Sequence, residues 1–188
     1  MTKVTIYGNR DAGFSLIELL IVVALIAIVG AVSIPQLSKQ RPKWNMRSSA
    51  ADLAGKLMMT RLRAIQENMT MAVQINGSAP ASFAIYKMQS SNVWIKVQGD
   101  WVASGDISME LNTSCVTASR VIFYPNGEAL FKDFAANGGG CPVTNDSAEV
   151  GRNYALVATV KSSLDSTATP VKVYVQPFLG RVAVAKGV

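Results

Sequence analysis

Residues 14–35 read FSLIELLIVVALIAIVGAVSIP, an apolar run of helix length broken near its start by one carboxylate, Glu18. As an α-helix the run rises roughly 33 Å, enough for one bilayer crossing. A carboxylate at the bilayer centre costs about 2.5 to 3.5 kcal/mol on insertion scales. Glu18 therefore needs either an interfacial position or a cation supplied from elsewhere. A cleaved secretory signal fits poorly, because its apolar stretch is only about 7 to 15 residues and follows a basic segment. Here the run is longer, carries Glu18, and is preceded only by Lys3 and Arg10, with Asp11 beside Arg10.

Outward from this run, 188 residues with 49% apolar and 16% charged composition suit one domain of ordinary size with an attached element. Pro35 and Pro42 flank the polar stem that follows, and each removes an intrahelical hydrogen bond, so a bend or break is expected there. From Ser48 a second helical pattern begins. Ala50, Leu53, Ala54, Leu57, Met58, Leu62 and Ile65 recur at three- and four-residue spacing and predict a stripe lying on a sheet. Beyond Asn68 the pattern changes to short alternating runs: 71–75, 82–88, 107–111, 120–124, 153–160, 171–176 and 181–185, with VWIKV from Val93 and EALF from Glu128. Asn76-Gly77 and Pro125-Asn126-Gly127 are turn signals between them. The expected fold class is α+β, with a long N-terminal helix, an amphipathic helix and an antiparallel β-rich head.

Catalysis finds no support in the residues. The chain has no histidine, and it carries neither a phosphate-binding loop nor a nucleophile elbow. Asp100, Asp106, Asp133, Asp146 and Asp165 are scattered through polar loops. Two cysteines without histidine do not complete a zinc set, and Asn145, Asp146 and Glu149 match no calcium-loop spacing, so no metal or cofactor is expected. The net charge of +6 is concentrated on the stem, where Lys39, Arg41, Lys43, Arg47, Lys56, Arg61 and Arg63 stand against Asp52. The head is close to neutral. The excess suits anionic headgroups or acidic neighbours better than a DNA-binding head.

Gly13, Phe14, Ser15, Leu16, Ile17, Glu18, Leu19 and Leu20, with the apolar run behind them, closely resemble the processing signal of type IV prepilins and type II secretion pseudopilins. The resemblance implies a leader over 1–13, cut by a prepilin peptidase between Gly13 and Phe14, and N-methylation of the new Phe14 terminus. It implies a retained transmembrane helix over 14–35, a stem and amphipathic helix over 36–68 and a β-rich head over 69–188. In the family, the carboxylate matching Glu18 pairs with the N-terminus of a neighbouring subunit. That converts its cost in the membrane into a drive for assembly. Flanking charge alone would favour the opposite orientation, because Lys39, Arg41, Lys43 and Arg47 follow the run; the processing motif implies a head outside the cytoplasm.

The stretch LAGKLMMTRLRAIQEN, the segment VIFYPNGEA and the late GRVAVA are similar to the H-type minor pseudopilins and related minor pilins. With the head in the periplasm, Cys115 and Cys141 could pair across a loop of about 26 residues, worth roughly 3 kcal/mol; two free thiols are the alternative. The implied function is a structural, non-enzymatic minor subunit of a type II secretion pseudopilus at the bacterial inner membrane. Its implied partners are other pseudopilins or pilins, the prepilin peptidase and the membrane. The alternative is a minor type IV pilin acting in pilus assembly or DNA uptake. Arg181 and Lys186 would then be the nucleic-acid contacts, but they alternate with Val182, Ala183, Val184 and Ala185 as an edge strand does.

Overall fold

The computed structural model describes residues 15–90, 93–113, 115, 119–130, 143–144, 154–177 and 179–186; within the helix, positions 32, 34–36, 38 and 39 are described by backbone alone. It divides into two compact units, residues 1–40 and 41–188. Helix α1 runs from Leu16 to Glu67, 52 residues assigned without interruption through Pro35 and Pro42. Of the bend or break expected in the stem, the break is absent. A proline deletes one ladder bond, and when the turns on both sides are helical the rest of the ladder carries the element across.

Ten strands follow: β1 (Met71–Asn76), β2 (Ser82–Ser90), β3 (Val93–Val102), β4 (Ile107–Leu111), β5 (Arg120–Phe123), β6 (Ala129–Leu130), β7 (Val143–Thr144), β8 (Tyr154–Ser162), β9 (Val171–Val175) and β10 (Val182–Lys186). One sheet has the order β3-β2-β1-β5-β6; the other has β10-β9-β8-β4, with β7 also paired to β8. Each pairing is antiparallel, as Val73 opposite Ile85 and opposite Val121 illustrates. These strands lie within a residue or two of the alternating runs, except that β3 extends to Val102 and the two-residue β7 gave no sequence signal.

One core joins the helix to both sheets. Met46, Ala50, Leu53, Leu57 and Ala64 supply the helical side, while Met71, Val73, Ile75 and Phe123 come from the first sheet and Met109, Val157, Val160 and Val173 from the second. Along β1 the inward positions Met71, Val73 and Ile75 obey the two-residue period of a strand with one face on the core. Each fully buried Leu or Met contributes about 1.5–3 kcal/mol relative to exposure.

The buried helical face is rotated from the expected stripe. Ala50, Leu53 and Leu57 are buried as expected, but the face continues through Thr60 and Ala64, and Met58, Leu62 and Ile65 are exposed. Thr60 can occupy the core because its hydroxyl donates to the Lys56 carbonyl oxygen at 2.7 Å, so no polar group is left unpaired. Hydropathy alone favoured the larger residues on the next face.

Candidate functional site

Three regions carry the residues singled out by sequence. At the N-terminus, the Ser15 carbonyl oxygen accepts from the Glu18 N–H at 3.0 Å and from the Leu19 N–H at 3.2 Å, which makes Ser15 the residue that opens the helix. Glu18 falls in the first turn, where the exposed N–H groups of the helix favour a negative charge. Ser15-Leu16-Ile17-Glu18 therefore has the spacing of a capping box, a local helix-start signal that is separate from the carboxylate's membrane cost. Glu18 is exposed and has no ion-pair partner among the described residues. Gly13 and Phe14 lie outside the described residues.

The helix that follows is apolar on all sides. Leu16, Ile17, Leu19, Leu20, Ile21, Val22, Val23, Leu25, Ile26, Ile28 and Val29 are all exposed. A helix of this kind is stable only inside an apolar surrounding. Among the described residues, no helix is long and apolar enough to cross a membrane. The run with described side chains ends at Ala31, after about 24 Å of helical rise, short of the roughly 30 Å of a hydrocarbon core. The expected span over 14–35 needs Phe14 and the positions from Val32 to Pro35 as well.

The second region gathers the three weaker motifs around one arginine. Arg61 Nε of α1 donates to the Gly127 carbonyl oxygen at 3.0 Å. Gly127 ends the Pro125-Asn126-Gly127 turn, its N–H donating to the Tyr124 carbonyl oxygen at 2.9 Å, while Asn126 Oδ1 accepts from the Glu128 N–H at 3.1 Å. Gly180, at the start of GRVAVA, packs onto the same point: a Cβ placed there would sit 2.4 Å from the Gly127 carbonyl oxygen and 2.6 Å from Arg61 Cδ and Nε. Both glycines have positive φ, 84° at Gly127 and 56° at Gly180. Nothing in the sequence linked these segments, because each is distant from the others along the chain.

The third region comprises the remaining candidates. Cys115 is fully buried, and Asn112 Nδ2 donates to its Sγ at 3.3 Å. No described cysteine is a free thiol, and Cys141 lies outside the described residues. Asn145, Asp146 and Glu149 are outside them too. Arg181 is exposed just before β10, an edge strand whose Lys186 stands opposite Val171. Five residue steps separate Arg181 from Lys186, about 17 Å of strand backbone.

At the start of the second unit, Asn45 Nδ2 reaches Ser104 Oγ at 3.4 Å and Asp106 Oδ1 at 3.5 Å, and Ser162 Oγ donates to Asp106 Oδ2 at 2.8 Å. Partial burial pushes the Asp106 carboxyl up, but hydrogen bonds from Ser104, Ser162, the backbone and Asn45 together outweigh it and hold the group below the ordinary carboxylate value. This cluster ties the helix to the second sheet. In the sequence Asp106 is one of several aspartates scattered through polar loops, and nothing local marks it out.

Residues 8–34 match the model of the prokaryotic N-terminal methylation motif. The chain is similar to the structure of the minor pseudopilin EpsH from the type 2 secretion system of Vibrio cholerae, at 10% sequence identity and a TM-score of 0.53, over 76% of this chain and 97% of that one. That likeness shows a shared pilin-like α+β fold. Comparison with curated proteins gives no match.

Proposed function

We propose, on the premise that this chain belongs to the type IV pilin-like and pseudopilin family, that it is a minor, H-type subunit of a type II secretion pseudopilus. The observation that carries the reading is Glu18: an exposed carboxylate in the first turn of an otherwise apolar helix, without a cationic partner among the described residues. Cleavage between Gly13 and Phe14 frees an amino group, methylated on Phe14, which meets Glu18 of a neighbouring subunit. An unpaired charge in an apolar medium becomes a paired one, so the subunit is driven into the filament.

The apolar helix anchors the chain in the inner membrane with the head in the periplasm, an environment that permits a Cys115–Cys141 disulfide. The subunit does structural work and catalyses no reaction. The likeness of its fold to EpsH supports a pilin or pseudopilin subunit, and the choice of secretion over a type IV pilus is the part the experiment below decides.

The test is mass spectrometry of proteins cross-linked to the native chain in its own membranes. Capture of other minor pseudopilins and secretion components, with Phe14 as the first residue, is the expected result. Capture of a major pilin and a retraction motor would refute the secretion assignment.

A further inference from the structure

We propose that the base of the head docks on the anionic surface of the bilayer, with Trp44, Leu164 and Val102 entering the headgroup layer and Arg41, Lys43 and Arg47 binding its phosphates. The inference deepens the reading of an anchored subunit and rests on it.

The three most exposed large apolar side chains described in the second unit, residues 41–188, are Trp44 (76%), Leu164 (71%) and Val102 (55%). They come from three separate stretches of chain, yet each lies within two residues of the Asn45–Ser104–Asp106–Ser162 hydrogen-bond cluster. Leu164 is bound to that cluster directly, its N–H donating to Ser162 Oγ at 3.2 Å, and the Ser163 N–H donates to the Asp106 carbonyl oxygen at 2.9 Å. The cluster therefore brings together the backbone segments that carry the three protruding apolar groups.

Lys43 lies close enough to the adjoining loop for its charge to act on Asp165, and Arg41, Lys43 and Arg47 are all exposed. Apolar side chains, one of them tryptophan, rimmed by basic residues are the composition of a membrane-interface contact. Charge decides the occupant, because Arg41, Lys43 and Arg47 outnumber the neighbouring Asp106 and Asp165 carboxylates, and that excess favours anionic lipid over a neutral surface or a second basic stem.

The experiment uses the full chain labelled with 5-fluorotryptophan, one chain per nanodisc, in phosphatidylcholine with or without an equal share of phosphatidylglycerol. The signal missing from Trp44→Phe assigns Trp44, and Trp94 serves as the internal reference. A water-soluble gadolinium chelate should broaden the Trp44 signal several-fold less than the Trp94 signal in anionic discs, with the protection lost in neutral discs. Lys43→Gln should lower the ratio of docked to free heads about fivefold. Leu164→Glu should release the base while leaving the melting temperature of the head unchanged.

Incorporation into discs with Trp44 as accessible as Trp94 overturns this inference alone. Protection that appears only at two chains per disc assigns the face to a second copy and also overturns it. Failure to incorporate at all overturns the anchored-subunit reading and this inference with it.

Discussion

Replacing Gly180 by alanine tests the convergence at Arg61. The added Cβ would lie 2.4 Å from the Gly127 carbonyl oxygen and 2.6 Å from two Arg61 atoms, where an unstrained contact needs about 3.5 Å. Swinging Arg61 aside removes only part of the overlap, because the Gly127 oxygen belongs to the backbone. The positive φ of 56° adds about 1–2 kcal/mol for a residue with a Cβ. Overpacking adds about 1–3 kcal/mol. The sum, about 2–5 kcal/mol, corresponds to a fall in melting temperature of about 4–20 °C at this chain length. The assay is near-UV circular dichroism of the full chain in detergent, with Gly99→Ala as the control because its added Cβ meets nothing within 4 Å. In an Arg61→Ala background the cost of Gly180→Ala should shrink, since two of the three close atoms are gone. A melting temperature within about 2 °C of the parent for Gly180→Ala, with no coupling to Arg61, would refute the reasoning.

Leu57→Ala should destabilise the head by about 2–5 kcal/mol, whereas Leu62→Ala, on the exposed face, should change it by no more than about 0.5 kcal/mol; denaturant titration of both separates the two faces. Asp106 has a depressed folded-state pKa, so its contribution to stability is complete above the unfolded value near 3.8 and is lost as pH falls through the folded value. Melting from pH 7 to pH 2 should therefore show a smaller acid loss in Asp106→Asn than in the parent. Gly55→Ala, in the helix with open space around the new Cβ, should raise stability by about 0.5–1 kcal/mol in the same melt. Glu18→Ala should leave the head's melting curve intact while lowering incorporation into assemblies, measured by quantitative cross-linking in membranes; equal incorporation would remove Glu18 from the assembly step.

The apolar run from Phe14, the isolated Glu18 and the strand pattern after Asn68 were legible without coordinates because each is a local property. A helix start needs only Ser15 and Glu18 at the right spacing, and a strand such as β1 needs only Met71, Val73 and Ile75 on alternate positions. The turn at Gly127 was likewise written in three consecutive residues. The two-residue β7 was not, since so short a pairing is set by its neighbour β8.

Tertiary structure alone decided which side of α1 faces the sheets. Spacing allowed Met58, Leu62 and Ile65 as readily as Thr60 and Ala64, and the choice fell to the face that carries Ala64 and Thr60, whose hydroxyl is satisfied within its own helix. It also decided that the PNGEA and GRVAVA segments meet at Arg61, and that Asn45, Ser104 and Ser162 meet at Asp106. Periodicity records what a residue does within its own turn or strand. Contacts between distant segments depend on how those elements pack, and that information exists only once the chain is folded.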